Sequence, residues 1–213
     1  ALFTIDEETG MTGAMGLKGG ILSGDILLNL DTEEDDEIDM GCAGGIDVTA
    51  ERNYQEETTP SKTIAFEIKV KGLQGGHSGM DIHKGFGNAN KIMNRLLYHS
   101  NALVKIRIVK INGGNLRNAI PRESFSTIVV DENEKEKFLF ELNNLIELIK
   151  EEFKTLEPNL VIDVNNSEIP KKVMNLVASL TQTKLSKVLI SAVLFQEKAV
   201  SSWRVASHSR VVR

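Results

Sequence analysis

Apolar residues are spaced along this chain in two different ways. Near the start, Leu2-Phe3-Thr4-Ile5 and the stretch from Ile26 to Leu30 are short continuous runs, separated by the glycine-dotted segment MTGAMGLKGGILSG. Continuous runs of this length predict strands covered on both faces, as in the parallel sheet of an α/β domain. Two strands cannot complete such a sheet, so they predict a fragment of one. After Cys42-Ala43-Gly44-Gly45 the spacing changes. From Thr63 to Val70, Ile64, Phe66, Ile68 and Val70 alternate with Glu67 and Lys69, the pattern of a strand with one wet face. Helical spacing then places Ala89, Ile92, Met93, Leu96 and Leu97 on one side of a helix near Gly87 to Tyr98. Alternation returns with Val104, Ile106 and Ile108 against Lys105, Arg107 and Val109, and again from Ser124 to Val130. A long amphipathic helix is predicted from Glu134 to Phe153, lined by Phe138, Leu142, Leu145, Ile149 and Phe153. A last strand follows from Leu160 to Val164.

Strand, helix, strand, strand, helix, strand is the order of a ferredoxin-like (βαββαβ) unit, in which two helices cover one face of an antiparallel sheet. The chain as a whole therefore reads as α+β. Residues 1–47 are expected to be part of an α/β domain, and residues 48–213 a ferredoxin-like domain whose organisation is less legible after about residue 165. Pro170 is placed to begin a helix running through Val173, Leu176, Val177 and Leu180. The tail SSWRVASHSRVVR shows no clear period. Ala1 leads directly into the first apolar run, so the chain is expected to be a piece of a longer protein.

Bulk composition narrows the function classes. A formal net charge of -5 on 213 residues argues against a nucleic-acid binder, which would normally carry a basic stripe. No apolar run approaches the roughly 20 residues that span a bilayer, so no membrane association is expected. Cys42 is the single cysteine, which fits a reducing compartment and a cytoplasmic location.

Three stretches carry candidate chemistry. Asp6, Glu7 and Glu8 end the first apolar run, where open α/β sheets place their ligand sites. Adjacent carboxylates repel unless a cation offsets them; one could ligate a divalent ion while its neighbour takes a proton from water. Asp31 ends the second run and could reach the same crevice, whereas the acids from Glu33 to Asp39 are too many for one small site. The alternative reading of Asp6-Glu7-Glu8 is a solvated acidic loop. The second stretch is Gly75-Gly76-His77-Ser78-Gly79-Met80-Asp81-Ile82-His83. An imidazole held in such a turn could donate to a developing oxyanion or join a metal site, or His77 could be a surface residue of a glycine turn. The third is Asn112-Gly113-Gly114-Asn115-Leu116-Arg117-Asn118-Ala119-Ile120-Pro121-Arg122, longer than a minimal hairpin needs. Its amides and guanidinium could hold a substrate carboxylate, or it could be a plain connection.

Taken together, TIDEETGM, LLNLDTEED, MGCAGGID, VKGLQGGHSGMDIHKGFGNANK and INGGNLRNAIPRE resemble the metal-dependent M20 peptidases, most closely their aminoacyl-histidine (Xaa-His) dipeptidase branch. The likeness runs over about residues 1 to 155. It implies a two-zinc hydrolase with a catalytic α/β domain and an inserted ferredoxin-like lid. It also implies a dipeptide substrate and a homodimer formed through the lid. By this resemblance Glu7 is the general base, Glu8 ligates one metal and Asp31 the other. His77 stabilises the tetrahedral intermediate, from the partner subunit in dimeric members, and Asn118, with Arg117 as a weaker candidate, binds substrate. The family's His-x-Asp ligand pair occurs nowhere in this chain. The expectation is a dipeptidase parent, with this piece weak in metal binding and inactive alone. Two alternatives stand beside it: a noncatalytic dimerisation or interaction module, and another M20 activity such as tripeptidase, deacylase or carboxypeptidase.

Overall fold

The computed structural model describes residues 2–7, 10–28, 36, 47–116, 118–175 and 202–208. The chain divides into two compact units, Ala1–Cys42 and Ala43–Arg213.

In the first unit a single helical turn, α1, spans Thr12–Met15. It is held by Asp6, whose main chain sits at φ 61. The Asp6 carbonyl accepts the Gly10 N–H at 3.1 Å, and its carboxylate accepts the Thr12 hydroxyl. The two apolar runs expected as strands are not strands over their described residues, 2–5 and 26–28. Their side chains face solvent, with Phe3 89% and Ile26 81% exposed. A strand buried on both faces needs ladders at its edges and cover above and below. Among the described residues no strand is laid beside either run, the Gly13 N–H on the Ile5 carbonyl at 3.3 Å being a turn contact, and without a ladder hydrophobicity alone does not fix extended structure.

The second unit contains β1 (Asp47–Asn53), β2 (Gln55–Thr58), β3 (Thr63–Lys71), α2 (Ala89–Leu103), β4 (Arg107–Gly113), β5 (Ser124–Asp131), α3 (Lys135–Phe153), β6 (Val161–Ser167), β7 (Lys172–Asn175) and β8 (Ser202–His208). Among these, β4-β5-β3-β6 form a four-stranded sheet, while β1 pairs with β8 and β2 with β7. All of these pairings are antiparallel.

The core lies between one face of the four-stranded sheet and the two long helices. Phe66, Ile68 and Val70 of β3, Ile108 of β4 and Ile128 and Val130 of β5 pack with Met93, Leu96 and Leu97 of α2 and with Phe138, Leu142 and Ile149 of α3. At its centre the Phe66 and Phe138 rings tilt against each other, centroids 5.2 Å apart. Asn88 caps α2 by accepting the Lys91 N–H at 3.1 Å, which stops the helix from unwinding toward Gly87.

The opposite face is only partly wet. Lys69 pairs with Glu67 at 2.9 Å and Lys71 with Asp163 at 3.0 Å. On this same face, Val173 of β7 is buried with Ala65 and Val129, and Val109 packs against this cluster. The presence of Val109 on the polar side of its strand is thereby explained. The β4–β5 register shifts between Ile108 and Lys110, so the buried position moves from Ile108 to Ile111.

Two expectations are corrected here. Val104 to Ile106 precede the ladder, which starts at Arg107; the Val104 N–H instead closes α2 on the Ser100 carbonyl at 2.8 Å. Residues 172–175 are strand β7, not the opening of a helix at Pro170. Pairing with β2 and burial of Val173 and Met174 outweigh the helical spacing. The continuation of that spacing, 176–180, lies outside the described residues. No helix among the described residues is long and apolar enough to cross a membrane.

Candidate functional site

The segment leaving β3 and the segment leaving β4 are stitched to each other. His77 and Ala119 form an isolated antiparallel bridge. The Ser78 N–H donates to the Asn118 carbonyl at 2.7 Å and the Ile120 N–H to the Gly76 carbonyl at 2.8 Å. Together they wall an open groove of about 780 Å³, whose lining includes His77, Asn112, Asn115, Asn118, Arg122 and Phe125. The structure thus brings together His77 and Asn118, which the sequence separates by a helix and a strand.

Local chemistry explains the path of the first wall. Gly75 and Gly76 have φ 73 and 145, conformations that side-chain-bearing residues rarely adopt. An added Cβ at Gly75 would also lie 2.4 Å from Arg122 Cγ. The turn is anchored at one end by Glu157, a carboxylate only 2% exposed. Glu157 Oε2 accepts the Gln74 N–H at 2.8 Å and Oε1 the Gly87 N–H at 2.7 Å. A buried carboxylate is tolerated when charge-assisted hydrogen bonds of this kind satisfy it. At the other end, Asp81 Oδ2 accepts the His77 N–H at 2.7 Å, and Oδ1 pairs with Lys84 Nζ at 2.7 Å. The Lys84 hydrogen bond, with help from the His77 N–H, holds the Asp81 carboxyl below its ordinary value.

Neither Asp81 nor Glu157 was assigned a role from sequence. Asp81 had a local signal, an acid four residues after a histidine in a glycine turn. Glu157 had none, because its partners lie 83 and 70 positions away. Of the remaining candidates, Glu7 is exposed in the first unit. Glu8, Asp31 and Arg117 lie outside the described residues. Among the described residues no group of three or more His, Cys, Asp or Glu side chains is assembled to hold a metal ion.

Comparison with known proteins fits this arrangement. Residues 66–157 match the M20 peptidase dimerisation domain. The cytosol non-specific dipeptidase of Escherichia coli (strain K12) is 46% identical over 161 residues, 76% of this chain and 33% of that protein. The chain belongs to the M20 peptidase family. Among solved structures, the aminoacylhistidine dipeptidase of Vibrio alginolyticus superposes with a TM-score of 0.71 at 42% identity, over 87% of this chain and 37% of that one. This M20 chain therefore spans about a third of the length of the relatives it matches. The M20 dimerisation domain match covers β3 through α3, which includes both groove walls and most of the core.

Proposed function

We propose that this chain is part of a cytoplasmic, metal-dependent dipeptidase that hydrolyses Xaa-His dipeptides. The observation that carries the proposal is the groove in which His77 and Asn118 are joined, in a chain 46% identical over 76% of its length to a protein named as a dipeptidase. Residues 1–47 belong to the catalytic domain in this reading, and the second unit is its ferredoxin-like lid. Support for that lid comes from the sheet order β4-β5-β3-β6 and the shared core of α2 and α3. The match to a dimerisation domain supports a homodimer formed through this unit.

Glu8 and Asp31 would hold two zinc ions, one carboxylate to each, with ligands supplied from outside this chain. Bound zinc would supply an activated nucleophile and polarise the scissile carbonyl. Glu7 takes a proton from the attacking water and returns it to the leaving amine. His77 donates a hydrogen bond to the oxyanion. Asn118, with Arg117 beside it, orients the peptide, the guanidinium matching its terminal carboxylate.

In the full-length enzyme, Glu7→Gln is expected to lower kcat by about 10²–10⁴-fold. His77→Ala is expected to lower kcat by about 10²-fold with a smaller change in KM. The isolated 213-residue chain is expected to show negligible hydrolysis, because a site short of ligands binds metal weakly. Zinc-dependent cleavage by the isolated chain that disappears on Glu7→Gln would sink the division of the site. An unchanged kcat in His77→Ala would remove the role given to that residue. Dimerisation alone, without any hydrolysis by the full-length protein, would favour a noncatalytic interaction module.

A further inference from the structure

The imidazole of His77 is gripped by its own turn. Every main-chain N–H from residue 77 to 81 has an acceptor: His77 on Asp81 Oδ2 at 2.7 Å, Ser78 on the Asn118 carbonyl at 2.7 Å, Gly79 and Met80 both on His77 Nδ1 at 3.1 Å, and Asp81 on the His77 carbonyl at 3.0 Å. A main-chain N–H can only donate, so Nδ1 must present its lone pair. In a neutral imidazole the proton then resides on Nε2.

We propose that Asp81 is a positioning residue that fixes this tautomer, making His77 a dedicated Nε2–H donor to an anionic oxygen of a ligand in the groove. The proposal rests on the peptide-binding reading of that groove. The turn itself supplies the argument. Asp81 closes it twice, by carboxylate on the His77 N–H and by main-chain N–H on the His77 carbonyl, so the intervening Gly79 and Met80 N–H groups converge on the ring. The carboxylate is itself fixed by Lys84, whose ammonium meets Oδ1 and whose N–H meets the Asp81 carbonyl at 3.0 Å. A ring held this way cannot offer an Nε2 lone pair without moving a proton to Nδ1, against two donors. Of the uses open to His77 from sequence, hydrogen-bond donation is the one the turn selects, over metal ligation and proton abstraction.

Long-range proton–nitrogen NMR of the ¹⁵N-labelled 213-residue chain at alkaline pH tests this without any catalytic readout. The wild-type chain is expected to show a protonated Nε2 and an unprotonated Nδ1 at His77. Asp81→Ala is expected to give a mixture of tautomers with faster amide exchange at Gly79 and Met80. Asp81→Asn keeps an oxygen for the His77 N–H and is expected to keep the wild-type pattern. If the alanine variant does not fold, Asp81→Glu moves the acceptor by one methylene and is expected to lose the pattern. A protonated Nδ1 in the wild-type chain, or an unchanged pattern in Asp81→Ala or Asp81→Glu, overturns the proposal. In the full-length enzyme, Asp81→Ala is expected to lower kcat about tenfold to a hundredfold more than it changes KM, with rescue by Asp81→Asn. If the nitrogen pattern is as expected but His77→Ala leaves kcat unchanged, the catalytic reading falls and the tautomer assignment stands.

Discussion

Phe3 and Phe66 lie in similar local text, LFTI in one unit and IAFEI in the other, yet Phe3 is 89% exposed and Phe66 2%. Their difference is the ladder. Phe66 belongs to a strand paired on both edges, with β5 on one side and β6 on the other, and α3 brings Phe138 over its ring. Among the described residues no strand lies beside residues 2–5. Apolar content is thus a demand for burial, and neighbouring strands decide whether the demand is met. The same contrast runs through the carboxylates. Glu7 is exposed, whereas Glu157 is buried because two main-chain N–H groups satisfy it.

Substitutions in matched pairs can break this comparison. Phe66→Ala is expected to cost about 3–5 kcal/mol in denaturant unfolding, against a change within about 0.5 kcal/mol for Phe3→Ala. Equal costs would show that the first unit packs its apolar side chains after all. Next in size, Glu157→Gln turns one carboxylate oxygen into a donor facing an N–H donor. It is expected to cost about 1–3 kcal/mol, while Glu7→Gln leaves stability within about 0.5 kcal/mol. Asn88→Ala removes the cap of α2 and is expected to cost about 1 kcal/mol. Met11, in the corresponding place before α1, makes no side-chain cap, so Met11→Ala should change the same curve by less than about 0.5 kcal/mol.

The smallest effect is local and depends on pH. The folded-state value of Asp81 lies below the ordinary carboxylate value. Its contribution is therefore complete above that ordinary value and lost as pH falls through the depressed one. Amide exchange at His77 should accelerate across that acidic interval, before the core opens, and Asp81→Asn should abolish the dependence.

From residue 63 to 167 most of the fold was legible because each element states its period: alternation in β3 and β5, helical spacing in α2 and α3. The shift at Val109 was not legible, since a register irregularity is a relation between β4 and its partner. Nor were β1, β2, β7 and β8. DVTAERN and QEET carry too few apolar residues to alternate, and β2 finds its partner far along the chain, where the Thr59 hydroxyl also meets the Pro170 carbonyl at 2.6 Å. The site was legible as two glycine-rich strings with a histidine in one and an asparagine in the other. Their meeting was not, because the bridge between His77 and Ala119 is long-range and leaves no mark in either string.

That bridge makes the two walls one mechanical part. A substitution at Asn118 or Ala119 reaches His77 through the main chain, and a change at Gly76 reaches Ile120 by the same route. Variation in the two strings should consequently be non-additive, and a library that diversifies one wall alone would also perturb the other. Anyone grafting this groove onto another scaffold would need to carry both strings together, with Glu157 and Asp81 as their anchors.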